Sequence, residues 1–337
     1  MGMDPVRIAV IGLGYWGPNI VRNLNELPIA SPQIVCDLRE DALSRIERRY
    51  PAIRTTTDVD AVLTDDSIEA VALVTPVGTH AELATAALEA GKHVFVEKPL
   101  AGSSAEADAL IRLADETELV LMPGHTFLYS PPVTLIKDLI ESGELGDIYF
   151  ISSSRVNLGI HQSDVSIIWD LGPHDFSILL YWLETLPDRV SAVSRSCILP
   201  GIADVAFVTL EYPAGTVAHV EMSWLAPSKL RRTTIVGSER MVVYDDTSTE
   251  PVRLFDAGVM SGEPQTFGEY RLTYRTGSII SPRVEPTEPL ALELTDFCEA
   301  VRGDGPLRAS AALGADVVRM IEAAERSIAA PQTAAKL

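Results

Sequence analysis

The sequence predicts an α/β protein of two domains, an N-terminal doubly wound parallel sheet followed by an α+β domain built on a mainly antiparallel open sheet. Three observations carry this. Up to about residue 124, short apolar runs alternate with amphipathic stretches, the texture of parallel strands buried on both faces with helices between them. From about residue 189 to 275, apolar residues alternate singly with polar ones, as in half-buried strands. The 337 residues, at roughly 150 per domain, suffice for two cores.

In the first region, strands are expected at 7–11, 33–37, 70–75, 93–97 and 119–123, with helices at 17–25, 40–50, 58–63, 80–90 and 104–116. Repetition of this βαβ unit implies right-handed crossovers. Beyond it, 131–142 reads as a helix, 147–157 as a strand and 173–183 as a helix starting at Pro173. Strands follow at 190–197, 204–212, 216–224, 230–236 and 240–245, several joined by turn signals such as Pro213-Ala214-Gly215. The tail returns to helix at 290–302 and 309–329. The expected division is 1–124 for the first domain and 125–308 for the second, with the last helix packing back on the first.

Composition narrows the partners. A net charge of -20 gives no field for holding a polyanion, so nucleic acid and anionic membrane surfaces are not expected partners. Cys36, Cys197 and Cys298 are widely spaced and odd in number, which supports neither a disulfide framework nor a metal site. With no signal-peptide pattern at the start, a cytoplasmic location is expected. The uncharged stretch 119–136 is broken by Pro123, Gly124, Pro131 and Pro132, and reads as a strand, a loop and the start of a helix rather than a membrane span.

Gly12-Leu13-Gly14-Tyr15-Trp16-Gly17 has G-x-G-x-x-G spacing between a predicted strand and a predicted helix, the context that makes the pattern a dinucleotide fingerprint. Its glycines allow a tight turn, close approach to a diphosphate and close helix–strand packing. Asp37 lies 20 residues beyond Gly17, the spacing of a carboxylate that binds ribose hydroxyls and repels a 2′-phosphate, so NAD is the expected cofactor, with Arg39 able to soften that repulsion. Thr75 ends the third predicted strand, with Pro76 and His80 after it, and Glu97 ends the fourth, with Lys98 next, where polar residues border the ligand crevice of an open sheet. Lys98, directly before Pro99, is placed to stabilise a developing alkoxide.

The glycine motif, Thr75-Pro76-x-x-x-His80, Glu97-Lys98-Pro99 and Asp170-x-Gly172-x-His174 together resemble the glucose–fructose oxidoreductase, inositol dehydrogenase and rhizopine-catabolism group, Gfo/Idh/MocA, over essentially the whole chain. The resemblance implies a Rossmann domain, a C-terminal open sheet often used for oligomerisation, and pyranose, sugar-nucleotide or cyclitol substrates. It makes Lys98, Asp170 and His174 the catalytic candidates. The segments 124–129, 153–159 and 169–175 resemble members acting on sugar nucleotides, including dehydrogenases of the 3-hydroxyl of UDP-N-acetylglucosamine or its uronic acid.

Elementary chemistry agrees. Oxidising a secondary alcohol moves a hydride from carbon and a proton from oxygen, so one residue must titrate near working pH. His174, after Gly172-Pro173 at the expected helix start, would sit at the positive end of a helix dipole that keeps its imidazole neutral. Asp170 would orient that ring or bind a sugar hydroxyl. His125 lies near the expected cofactor crevice. Arg155 and Asn157 are candidate substrate ligands on a strand, although an ordinary solvent-facing pair reads equally well. Lys229, Arg231 and Arg232 are a local basic cluster that could meet a diphosphate. The expectation is an NAD-dependent dehydrogenase or ketoreductase acting at a secondary hydroxyl of a sugar, foremost C3 of a nucleotide-linked hexose. It is expected to assemble as a homo-oligomer, dimer or tetramer, through the C-terminal sheet. The rivals are a free-sugar or inositol dehydrogenase and a non-catalytic dinucleotide-binding sensor.

Overall fold

The structure, a computed structural model, describes residues 4–159, 161–261 and 272–330. The chain forms two compact units, the first comprising Met1–Tyr129 and Thr287–Arg319, the second Ser130–Pro286 and Met320–Leu337.

The first unit begins β1 (Val6–Ile11), α1 (Gly17–Glu26), β2 (Ala30–Cys36), α2 (Glu40–Arg49), β3 (Arg54–Thr56), α3 (Val59–Leu63) and β4 (Ala70–Leu73). It continues α4 (His80–Glu89), β5 (His93–Glu97), α5 (Ser104–Thr117) and β6 (Leu121–Gly124). The strands form one parallel sheet in the order β3-β2-β1-β4-β5-β6. The order reverses between β1 and β4, and in such sheets ligands bind outside the strand ends at that reversal. Continuous apolar runs build β1, β4 and β5 because both faces are covered; Ile11, Leu73, Val94 and Val96 share a core with Leu88 of α4 and Leu110 of α5. The short strand β3, Arg-Thr-Thr at the sheet edge, carries no apolar run and was not expected.

The second unit runs α6 (Pro131–Glu141), β7 (Ile148–Leu158), α7 (Ile167–Leu183), β8 (Arg189–Arg195), β9 (Val205–Glu211) and β10 (Val217–Ser223). β11 (Leu225–Gly237), β12 (Met241–Asp245), β13 (Val252–Ser261) and β14 (Leu272–Ile280) complete it. The eight strands are ordered β14-β13-β12-β11-β7-β10-β9-β8, with β7 and β10 parallel and the other neighbours antiparallel. One face is covered: Ala206, Val208 and Leu210 of β9 and Ala218, Val220 and Met222 of β10 are buried, and α7 packs on both strands. The chain then forms α8 (Pro289–Val301) in the first unit and α9 (Ala311–Ala329), within which the division between units falls.

Stretch 119–136 resolves into β6, a 3-10 turn at Thr126–Tyr129 and the start of α6, and among the described residues no helix is long and apolar enough to cross a membrane. One expectation is corrected. Helix α7 starts at Ile167 rather than Pro173, because Ile167 and Ile168 are fully buried and extend the helix towards its N-terminus. Pro173 therefore lies inside it and cannot donate to the carbonyl four residues back.

Candidate active site

At the end of β1 the glycine loop is set by two backbone approaches. Gly12 has φ +104°, and a Cβ there would stand 2.5 Å from the Val74 carbonyl oxygen. A Cβ on Gly17 would stand 2.3 Å from the Gly12 carbonyl oxygen. These two positions pack β1, β4 and α1 together. Gly14 is different: its nearest neighbour would be 3.8 Å away, so internal packing does not require glycine there. The room beside it is what a diphosphate approaching the backbone needs. Helix α1 carries no acidic residue in its first turn, which leaves its positive end available to an anion. Tyr15 and Trp16, in edge-to-face contact, are exposed beside it.

Asp37 follows β2 and is tied to the same loop. Its Oδ2 accepts from the Leu13 N–H at 2.6 Å, its Oδ1 from the Arg39 N–H at 2.8 Å, and the Arg39 guanidinium donates to the Leu13 carbonyl at 2.8 Å. Burial opposes its charge, yet the Arg39 and Leu13 hydrogen bonds outweigh it and hold the pKa below the ordinary carboxylate value. Arg39 thus braces the carboxylate. Glycine loop, helix end and ionised Asp37 fit a nicotinamide dinucleotide.

Thr75 and Pro76 follow β4, with the Thr79 hydroxyl donating to Thr75 Oγ1 at 2.8 Å. His80 is buried with Nδ1 2.8 Å from the Pro99 carbonyl and Nε2 2.8 Å from the Thr75 carbonyl. A neutral imidazole donates to only one of them, and burial lowers its pKa although both carbonyls act the other way. The ring braces the ends of two loops from behind. Lys98, half-buried after β5, has its N–H on Glu97 Oε2 at 3.2 Å.

Behind Lys98 lies a buried polar cluster that sequence reasoning only half located. Glu97 is pushed up to about 7 by burial, against the pull of Lys98. Glu293 of α8, fully buried, accepts from the Thr126 hydroxyl at 2.6 Å and is raised well above its ordinary value by burial and then by Glu97. His125 is buried with no hydrogen-bond partner on either ring nitrogen among the described residues, and burial, then Lys98, lowers it to about 3. Glu293 and Thr126 are 167 residues apart in sequence, so nothing local announced them.

In the second unit, Asp170 and His174 lie one turn apart on α7 and share a helix face. Asp170 is in the first turn and accepts from the Trp224 indole N–H at 3.0 Å. Trp224 was not anticipated. The dipole expectation for His174 is corrected: with the helix starting at Ile167, the positive end acts on Asp170, and His174 lies about two turns in, beyond its reach.

Arg155 also departs from expectation. It faces the covered side of β7, is 5% exposed, and donates Nε to Asp175 of α7. Asn157 is half-buried two residues further on. The basic cluster disperses: Arg231 pairs in register with Arg155 and binds Asp246, Arg232 pairs with Ser154 on the opposite face, and Lys229 is exposed in an irregular stretch. Strand alternation forbids Arg231 and Arg232 from gripping one diphosphate.

A dinucleotide fingerprint in the first unit and, in the second, a carboxylate and an imidazole one turn apart are residue types that hydride-transfer chemistry uses. The chain is a dinucleotide-dependent oxidoreductase. A family model for the "Oxidoreductase family, NAD-binding Rossmann fold" matches residues 6–125, and one for the "GFO/IDH/MocA C-terminal domain" matches residues 133–243. The chain belongs to the Gfo/Idh/MocA oxidoreductase family. It is 25% identical over 299 residues to myo-inositol 2-dehydrogenase of Thermotoga maritima, covering 77% of this chain and 90% of that one. It is 28% identical over 313 residues to UDP-N-acetylglucosamine 3-dehydrogenase of Acidithiobacillus ferrooxidans, covering 90% and 91%. Among solved structures, a putative oxidoreductase from Magnetospirillum magnetotacticum superposes with TM-score 0.82 at 30% identity, covering 95% of this chain and 100% of that one.

Two expectations follow. Gly17→Ala should destabilise the fold by about 1–3 kcal/mol, the scale of forced overpacking, whereas Gly14→Ala should melt near the wild-type temperature yet bind dinucleotide more weakly; thermal melts with a cofactor titration separate them. A carboxyl whose folded pKa lies above its unfolded value stabilises fully below the unfolded value and loses that contribution as pH rises through the folded one. For Glu97 that window runs from about 4.5 to about 7. Buried His125, lowered to about 3, contributes the opposite slope up to its ordinary value of 6.5, so the comparison between proteins is the measure: Glu293→Gln, which keeps an acceptor for Thr126, should gain melting temperature relative to wild type as pH rises from 5 to 8, and parallel profiles would contradict the coupling.

Proposed function

We propose that this chain is an NAD-dependent dehydrogenase or ketoreductase acting at a secondary hydroxyl carbon of a sugar, foremost C3 of a nucleotide-linked hexose such as UDP-N-acetylglucosamine or its uronic acid. The observation that carries the chemistry is the Asp170–His174 pair, one turn apart on a helix face, with Asp170 held by Trp224. Asp37, ionised and tied to the glycine loop, supports NAD. Similarity to a UDP-N-acetylglucosamine 3-dehydrogenase across nine-tenths of the chain supports the nucleotide sugar.

Bound at the glycine loop, the nicotinamide dinucleotide would supply the hydride acceptor or donor. The chain's own residues handle the rest. Gly12, Gly14, Gly17, Tyr15, Trp16, Asp37, Thr75 and Pro76 are assigned to holding the cofactor, with His80 and Glu97 supporting the loops around it. Lys98 is assigned to hydrogen-bonding the reacting oxygen and stabilising developing charge, and His174 to taking or giving its proton, with Asp170 orienting the ring. His125 and Asn157 remain assigned to the substrate's surroundings. A second reading, a free cyclitol or sugar, is favoured by one observation: the separation of Arg231 and Arg232 onto opposite faces removes the cluster a diphosphate would have used.

Reduced nicotinamide absorbance, followed with NAD or NADP and a panel of UDP-N-acetylglucosamine, its uronic acid, free sugars and inositols, decides between them. The nucleotide sugars with NAD should give the highest kcat/KM, and a cyclitol used as efficiently would overturn the nucleotide-sugar reading. On the best substrate, Lys98→Ala and His174→Ala should each lower kcat by roughly two to four decades while leaving NAD affinity intact. Wild-type turnover by either variant would remove that residue's role.

The chain is also proposed to assemble through the uncovered face of its eight-stranded sheet. Register places Val217, Phe150, Val236, Met241, Phe255 and Ile279 side by side across six strands, an apolar row that α7 does not cover. Large exposed apolar patches mark interaction sites, and a two-fold partner would bury this one against itself. Light scattering at micromolar concentration should return a dimer or tetramer mass, and Phe150→Asp should lower it; a monomer mass for the wild type would refute the assembly.

A further inference from the structure

Helix α7 is held on its sheet by an unusual contact. The covered face of β9 and β10 is apolar, but opposite Asp175 the covered face of β7 and β11 is polar. Arg155 Nε donates to Asp175 Oδ2, the Ser153 hydroxyl donates to Oδ1 at 2.7 Å, and Ser153 in turn contacts the Thr233 hydroxyl at 2.9 Å. Ser153 and Thr233 are register partners, Arg155 lies two residues along β7, and all four side chains are buried, Asp175 to 3% exposure. Asp246, paired with Arg231, and the phenol of Tyr244 are among the polar groups near Arg155.

A buried ion pair is a poor means of gaining stability, since desolvating two charges offsets their attraction and apolar residues of similar volume serve as well. What it provides is direction. An apolar helix face tolerates sliding and rotation on a sheet, whereas a carboxylate with both oxygens bonded to fixed partners does not. The contact falls where direction is least secure, because Pro173 removes a hydrogen bond from the helix's own ladder. Successive helical residues are about 100° apart, so fixing Asp175 against the sheet fixes the heading of His174 beside it. Trp224 pins Asp170 one turn earlier, and the proline lies between the two pins.

We propose that Arg155 and Asp175, with Ser153 and Thr233, are positioning residues that set the rotation of α7 and so the direction in which the His174 imidazole is presented. This rests on the reading of His174 as the proton-handling group, and it gives Arg155 a task other than substrate binding.

The test uses the full-length protein carrying Arg155→Lys, which keeps the charge but loses the Nε donor, and the double variant Arg155→Met/Asp175→Leu. The double variant should melt within a few degrees of wild type and bind NAD equally well. Its kcat should fall roughly 10- to 100-fold, the scale of a misplacement near 1 Å, with KM little changed. Arg155→Lys should show a smaller fall in kcat and a shifted limb in its pH profile. A readout independent of any substrate is the NMR titration of the His174 imidazole, identified by its loss in His174→Gln. That resonance should change its titration in both variants while the other five histidines keep theirs. Should the double variant fail to fold, Arg155→Lys alone decides. An unchanged His174 titration together with wild-type kcat overturns the proposal. A wild-type protein that turns over no sugar, nucleotide sugar or cyclitol would instead overturn the functional reading, and the imidazole titration would still decide whether the pair positions the ring.

Discussion

The backbone approach of Gly17 to the Gly12 carbonyl, and of Gly12 to the Val74 carbonyl, is the constraint on which the first unit depends. It lets α1 pack against β1 and β4 at a separation no side chain would permit. The same contact puts the start of α1 at the ends of those strands, where the order of the sheet reverses. Asp37 is then drawn onto the loop through the Leu13 N–H, so that fold and cofactor site rest on the same few atoms. Substitution at Gly12 or Gly17 would disturb both, whereas Gly14 is spared by packing and constrained only by what approaches it.

The buried polar groups have a pattern. In the first unit, Glu97, Glu293 and His125 gather behind Lys98. In the second, Ser153, Arg155, Asp175 and Thr233 gather beside His174. Elsewhere the two cores are built mainly from aliphatic and aromatic side chains. Polar residues are costly to bury, and sequences violate apolar patterning mostly where function requires it. Each cluster adjoins a residue assigned to chemistry, Lys98 in one unit and His174 in the other.

Much of the fold was legible because it rests on local period. Strands β1, β4 and β5 announce themselves as apolar runs, β9 and β10 as alternation, and the glycine loop as a spacing between a strand and a helix. Strand β3 was illegible because three polar residues at an edge carry no pattern, and β14 because nearly all its described positions are exposed. Helix α7 was read as starting at Pro173 because proline favours a first turn, but burial of Ile167 and Ile168 extends it past that local preference.

The sequence by itself determined the two sheet types and the dinucleotide loop with its Asp37 partner, because each depends on local period or spacing; that Asp170 shares a helix face with His174 was decided by the burial of Ile167 and Ile168, which carries α7 back past Pro173. The tertiary structure decided which way the strands' alternate faces point. Alternation shows that Arg155 shares a face with Ser153 and opposes Ser154, but that face is the inner one only because α7 lies across it, and Arg155 becomes a partner of Asp175 for that reason. The same holds for Arg231 and Arg232, parted by the pleat, and for Glu293, which meets Thr126 through α8. Burial and partnership are properties of what distant segments bring alongside, and no local pattern encodes them.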